Sequence, residues 1–471
     1  MTRMDRPKDD ALSELSTKLA RVHLTPGPSI TLLPTEIVAL IFEIGYQGYN
    51  DKMPARMFVL KVSHVSQRWR QVAITQQSLW TDIIIFLTVR PRLPLEQFLE
   101  RCGALPINIY IISALRLDEV IVKHLMKLAF KAIAGQAYRW RSFSAHCCGP
   151  ADMMQVMEGL RDTNTPILEN LHLVTGLHPL SVWRLTGATR RTAYTHHDGT
   201  RNVLLGSAPL LRSMTLQNTL CLPPTQGVRI LNIRDIYSLF SDPYDKLVDT
   251  LLSNLPLLED LTIHGAITSR SHLLQFCPSK VSLPALIRLR LLAYDGASEP
   301  QFHFLDAISA PLLESVVLED VCYPAVQYLV TTFPQVHTLS ISPGKDVGQD
   351  PRALIGRLGS VFPHVCHLAV KALESAWLPR DYLPPLAHMC PNVESLTVYE
   401  LPKHKVVRFC DSLLQRTKNC PLPGRLFLRN CELAVITAVS ARVLDCGMDI
   451  KVLSSTGDNL PWYANTDTPV K

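Results

Sequence analysis

Pro256-Leu257-Leu258-Glu259-Asp260-Leu261-Thr262-Ile263 and Pro391-Asn392-Val393-Glu394-Ser395-Leu396-Thr397-Val398 are two copies of one pattern, P-x-[L/V]-x-x-[L/M/V]-x-[L/I/V]. The pattern starts at eight prolines: Pro166, Pro209, Pro256, Pro284, Pro311, Pro334, Pro363 and Pro391. From Pro256 onward the spacing is roughly 23–29 residues, the period of a strand-plus-helix unit that stacks on its neighbours. The first two intervals, Pro166 to Pro209 and Pro209 to Pro256, are long enough to hold extra material. The second of them fits a proline-free unit at Val228–Ile233. A ninth unit, Pro421–Leu428, follows one period after Pro391, and Tyr138–Ala145 fits one period before Pro166. The repeat therefore marks a solenoid. Alternating Leu261 and Ile263 predict a strand with one buried face. Each proline is expected to stop a preceding helix, as Pro334 would after Val326, Leu329, Val330 and Phe333. One unit cannot bury its own apolar face, so only stacking makes the array stable.

The alternation also assigns an outer face. Asn170, Ser213, Asp260, Arg288, Ser315, Thr338, His367, Ser395 and Arg425 share one register. His172, Thr215, Thr262, Arg290, Val317, Ser340, Ala369, Thr397 and Phe427 lie two residues further on. Polar and small residues dominate, which predicts an exposed sheet surface. Arg288, Arg290, Lys371, Arg425 and Arg429 tilt it basic, so they are the candidate target-binding residues. Guanidinium groups there suit carboxylate or phosphate groups through paired hydrogen bonds. The array resembles leucine-rich repeats over residues 138–453, with strands on a concave side as the resemblance implies. It departs from them in one respect, since no unit carries the asparagine expected after the strand, so its turns must be satisfied in another way.

A second pattern precedes the repeats. Pro34 suits the first position of a helix with Glu36 in its first turn, and Ile37, Leu40, Ile41 and Ile44 follow at i, i+3, i+4 and i+7. Gly45 and Gly48 are expected to end this helix, and a polar loop then runs to Pro54 and Met57. Phe58, Val62, Val65, Trp69 and Val72 predict one continuous second helix of nearly four turns. Leu79-Trp80 and an apolar strand, Ile83–Phe86, close the segment. Leu33-Pro34-x-Glu36-Ile37, Ile41-Phe42, Val62-Ser63-x-Val65-x-x-x-Trp69-Arg70-x-Val72-Ala73 and Ser78-Leu79-Trp80 resemble the F-box, in a version abundant in mushroom-forming fungi.

That resemblance implies docking onto the Skp-type linker of a cullin-based (SCF) ubiquitin ligase, through Leu33, Pro34, Ile37, Ile41, Val62, Val65, Trp69 and Trp80. Trp69 and Trp80 can equally fill the module's own core. The organisation expected is an amphipathic helix and linker (1–29), a small all-α F-box module (30–86), a connecting segment or solenoid cap (87–137), an α/β leucine-rich-repeat-like solenoid (138–453) and a tail (454–471). The expected partners are the linker with its cullin ligase and an unidentified target protein. The alternative is a scaffolding repeat protein that delivers no ubiquitin.

Bulk properties narrow the class. With 47% hydrophobic and 19% charged residues, the 471-residue chain has enough apolar surface for an extended core. A net charge of +6 without a dense Lys/Arg run disfavours nucleic acid. No apolar run reaches the roughly 18 residues of a membrane span, and Met1–Thr25 lacks a secretory h-region. A cytoplasmic or nuclear protein is expected. Twelve scattered cysteines, without C-x-x-C, read as small buried residues. No nucleotide-loop, nucleophile-elbow or zinc-protease motif occurs, so neither catalysis nor a cofactor is expected. His196-His197-Asp198 offers too few convergent ligands for a metal and reads as a solvated loop. His364-x-Cys366-His367 and His388-x-Cys390 read as positions of the solenoid.

Overall fold

The computed structural model describes residues 33–49, 52–87, 95–113, 119–176, 202–219, 221–222, 227–234, 251–264, 280–292, 304–321, 329–343, 351–371, 393–401, 403–416, 424–443 and 449–453. The helix expected at 9–22, His196-His197-Asp198 and His388-x-Cys390 lie outside them. The chain divides into two compact units, Met1–Trp80 and Thr81–Lys471.

The first unit holds α1 (Thr35–Gln47), α2 (Lys52–Ser63), α3 (Gln67–Thr75) and a 3-10 turn, Gln77–Trp80. It corrects the sequence reading at four points. Pro34 is the N-cap rather than the first helical residue, and its carbonyl accepts from the amides of Ile37 and Val38. Gly45 lies inside α1. A Cβ there would sit 2.5 Å from the Phe58 ring, so its lack of a side chain lets α1 and α2 approach. The expected loop before Phe58 is helical from Lys52, because Pro54 falls in the first turn, where its missing N–H costs nothing. The expected continuous second helix is broken at Ser66, whose side chain accepts from the Trp69 amide and so starts α3 anew. Val38, Phe42, Val59, Val62, Val72, Leu79 and Trp80 form the core. Phe42 meets the Trp69 ring edge-on at 5.0 Å, and Trp80 Nε1 donates to the Ala73 carbonyl at 2.7 Å.

The second unit is an α/β repeat solenoid. Its strands are β1 (Asp82–Leu87), β2 (Ile107–Ser113), β3 (Trp140–Cys147), β4 (Asn170–Thr175), β5 (Ser213–Gln217), β6 (Ile230–Arg234), β7 (Asp260–His264) and β8 (Val281–Ser282). They continue as β9 (Arg288–Leu292), β10 (Ile308–Ser309), β11 (Ser315–Val321), β12 (Thr338–Pro343), β13 (His367–Lys371), β14 (Ser395–Tyr399), β15 (Arg425–Arg429) and β16 (Asp449–Leu453). All but β8 and β10, which pair with each other, form one 14-stranded parallel sheet in chain order. The described helices between strands are α4 (Leu95–Arg101), α5 (Glu119–Ile133), α6 (Pro150–Arg161), α7 (Pro351–Val361), α8 (Val406–Arg416) and α9 (Leu433–Val443). Ile83, Ile109, Phe143, Leu171, Met214, Leu231, Leu261 and Leu289 continue one fully enclosed apolar row from strand to strand.

The sheet starts at Asp82, so Ile83–Phe86 belongs to the solenoid and the helical module ends at Trp80. The expected connecting segment 87–137 likewise contains β2, α4 and α5, and is part of the array. Buried Arg139 fastens it, donating to the carbonyls of Gly103, Leu105 and Leu99 at the end of α4.

A helix ends at Val361 just before Pro363, as expected, but not before Pro334, and there the proline has another role. Residues 329–333 are irregular, and Pro334 sits second in a β-turn closed by Val336 N–H to the Phe333 carbonyl at 3.3 Å. The same bond links Leu168 to Thr165, Leu211 to Ala208, Leu258 to Leu255, Leu286 to Leu283 and Leu313 to Ala310. Proline's fixed φ suits that position, and the following Leu or Val drops into the core as the strand begins. A backbone ladder runs where an asparagine ladder is absent. From Glu169 to Cys366, the carbonyl of the residue preceding each strand accepts two amides of the next unit, at 2.8–3.1 Å. At the other end of the strands, Gly176, Asn218, Glu400 and Asn430 turn the chain with positive φ.

Candidate docking and recognition faces

On α1 the residues that repeat at i, i+3, i+4 and i+7 face solvent. Ile37 is 42% exposed, Leu40 50%, Ile41 42% and Ile44 62%, while Val38 and Phe42 take the core side. Helical spacing makes those four one contiguous apolar stripe about two turns long. Pro34 at its start is exposed, and half-buried Leu33 is held through its carbonyl by the Arg68 guanidinium. Val65, in the break between α2 and α3, is exposed, and Trp69 is half-buried against Phe42. Val62 and Trp80 are core residues and present no surface to a partner in this conformation.

On the solenoid the register is the one the prolines imply. Asp260 pairs with Arg288, Arg288 with Ser315, Thr338 with His367, His367 with Ser395 and Ser395 with Arg425. The expected open polar surface is not what these residues form, because Thr262, Arg290, Ser315, Thr338, Ser340, Ser395 and Thr397 are buried. Parallel strands stand about 4.8 Å apart, so short hydroxyl side chains are walled in by their neighbours.

The basic residues separate into different environments. Arg288 Nε lies 2.9 Å from Asp260 Oδ2 and Arg290 4.0 Å from the same oxygen, so one carboxylate balances both. Lys371 meets Glu400 at 3.4 Å. Arg429 is buried, with its guanidinium 5.7 Å from the Tyr399 ring centre. Arg425 is exposed and makes no ion pair among the described residues. The single repeat period from Pro256 to Pro284 is the sequence signal that sets Asp260 beside Arg288. Glu400 has no such signal, because it lies beyond the strand in a left-handed turn.

Two cross-strand Ser/His pairs also lie on this face. Ser144 Oγ and His172 Nδ1 are 3.5 Å apart, and His367 Nδ1 is 2.8 Å from Ser395 Oγ. His172 packs edge-on against His146 with ring centres 5.1 Å apart. Burial first, then His146 and Arg234, push the His172 pKa down to about 4, so its ring is neutral at pH 7. Among the described residues neither serine is set beside a histidine that an acid orients, so no nucleophilic triad arises there. Among the described residues no three His, Cys, Asp or Glu side chains converge on a metal position. Cys102, Cys147, Cys221 and Cys410 are buried, and burial raises the thiol pKa of the last three.

Fold and faces together define a repeat solenoid preceded in sequence by a small helical module with an uncovered apolar stripe. No protein-family model and no curated protein matches the chain. Among the described residues no helix is long and apolar enough to cross a membrane.

Proposed function

We propose that the chain is a substrate-choosing adaptor of an SCF-type ubiquitin ligase. In this reading the helical module is an F-box that docks on a Skp-type linker, and the leucine-rich-repeat-like solenoid holds a target protein. The observation that carries the reading is the contiguous α1 stripe of Ile37, Leu40, Ile41 and Ile44, exposed on a module whose core is formed by Val38, Phe42, Val59, Val62, Val72, Leu79 and Trp80. Contiguous exposed apolar surface of this kind is characteristic of a partner site. The chain would do no chemistry itself. It would raise the effective concentration of a target beside the ubiquitin-loaded enzyme.

The test is co-purification of linker and cullin with the full chain, compared with the Ile37→Asp/Ile41→Asp variant. Both side chains are exposed, so the variant keeps its fold. Capture of linker and cullin together should fall at least about tenfold, as expected for truncated hot-spot residues. Linker captured without cullin would favour a scaffold that delivers no ubiquitin. Equal capture by parent and variant would remove the α1 face from the interface.

A further inference from the structure

We propose that the exposed face of α5 is a surface that docks the protein peripherally on an anionic phospholipid membrane. The proposal goes beyond the adaptor reading and does not depend on it. Two observations carry it, both on a helix whose other side is built into the solenoid core.

The first is uncovered apolar surface. Val122, Met126, Ala129, Phe130 and Ile133 are buried and so fix which way α5 faces. On the opposite side Val120 is 75% exposed, Ile121 41% and Leu128 50%. Ile121, half-buried Leu125 and Leu128 follow at i, i+4 and i+7, which aligns them in one stripe. Tyr138 stands 60% exposed in the 3-10 turn that follows, Ala134–Arg139. A tyrosine, with its apolar body and polar tip, suits a headgroup layer.

The second is unbalanced positive charge. Lys123, Lys127 and Lys131 recur every fourth residue beside that stripe, and all three are exposed. They form a row about 12 Å long. None of them makes an ion pair among the described residues, whereas Lys371 and Lys451 each meet a carboxylate. No acidic residue occurs from Val120 to Tyr138. Helix α6, whose Gly159 lies against the Phe130 ring, exposes Glu158 and Arg161, one charge of each sign, and so leaves the lysine row uncancelled.

The apolar stripe alone would fit many partners, and the lysines choose among them. A bilayer surface offers anionic headgroups directly above acyl chains. The short apolar side chains of α5 would dip below the headgroups, while the lysine stems carry their ammonium groups to the phosphates. All three cations are lysines and none is arginine. A lysine is a flexible point charge, which suits a fluid field of headgroups. Carboxylates held at fixed positions on a protein segment are better gripped by the arginine fork. Contact of this kind lies along the membrane surface and needs no spanning helix.

The experiment is co-sedimentation of the full chain with vesicles at about 0.1 M salt, of phosphatidylcholine alone or with about one third phosphatidylserine. The chain should sediment with the mixed vesicles and partition at least about tenfold less onto phosphatidylcholine. Lys123→Gln/Lys127→Gln/Lys131→Gln should weaken partition about a hundredfold, near fivefold per lysine, and Val120→Ser/Leu128→Ser about tenfold. The replaced side chains are exposed, and an unchanged melting temperature verifies the fold. Arg212→Gln/Lys280→Gln/Lys403→Gln removes the same charge elsewhere and should leave partition within about twofold. No sedimentation, equal sedimentation with both vesicles, or an equal loss in this second triple variant overturns α5 as a lipid-docking face. Polyglutamate is run as a protein-like polyanion. Tighter binding to it than to the mixed vesicles, lost in the α5 lysine variant, would make the partner an acidic protein segment and overturn the lipid.

Discussion

Helix α1 and the strands of the solenoid are both rich in branched apolar residues, yet they place them oppositely. Ile37, Leu40, Ile41 and Ile44 stand in solvent, while Leu261, Ile263, Leu289 and Leu291 are enclosed. The difference is one of neighbours. Each inner strand of the sheet has a like unit on both sides, so its inward rows are sealed by the next copy. Among its described residues the helical module has three short helices, which cover Val38 and Phe42 on one side of α1 and leave Ile37, Leu40, Ile41 and Ile44 exposed. An apolar period in a repeat thus marks core, and the same period on a small module marks a face awaiting a partner.

Removing residues 422–471 tests the role of neighbours most severely. It deletes β15, α9 and β16 and leaves β14, every residue of which is buried, as the edge of the sheet. Soluble, monomeric yield should collapse, since terminal units shield such edges. A truncated chain that stays monomeric by light scattering and melts like the parent would break the comparison.

A pair of single truncations sharpens it. Leu289→Ala should destabilise the solenoid by about 2–5 kcal/mol, through lost burial and the cavity left behind. Ile41→Ala, at a half-open position, should cost less than about 1 kcal/mol. Urea denaturation followed by circular dichroism measures both, and equal costs would mean that α1 is covered in solution.

The polar face provides a titration. His172 is neutral when folded, with a pKa of about 4, against an ordinary value near 6.5 when unfolded. Between those values the unfolded chain binds more protons, so stability rises with pH across that window and is lost as pH falls from about 6.5 to 4. His172→Gln should flatten that part of the melting-temperature profile. An unchanged slope would show that His172 is protonated without cost. The smallest effect is expected at Asp260. Asp260→Asn leaves part-exposed Arg288 and buried Arg290 without their shared carboxylate, and should cost about 1 kcal/mol, with the Arg288 share reduced at high salt. A larger loss that persists in about 1 M salt would mark the cluster as part of the packed interior.

The repeat was legible because it is local and redundant. Nine proline-led units fix the inward rows, and counting from each proline gives strand partners such as Asp260 with Arg288 and Ser395 with Arg425. The role of the proline itself was less legible, since P-x-[L/V] fits the end of a helix and the start of a turn equally well. In the helical module the apolar period announced α1 but not which of its faces is covered. That depends on where α2 and α3 lie, and Ser66 divides what the period joins into one helix.

The candidate faces divide the same way. Residue order alone carries a solenoid of stacked strand units and the alternation that sends Arg288, Arg290, Arg425 and Arg429 to one side, because side-chain direction in a strand has a period of two. Three further features came from packing: Asp260 neutralises two of these arginines, Tyr399 lies under a third, and Arg425 stays exposed with no ion pair among the described residues. Direction is set residue by residue along one strand, whereas charge balance and burial depend on what the neighbouring strands and turns bring alongside.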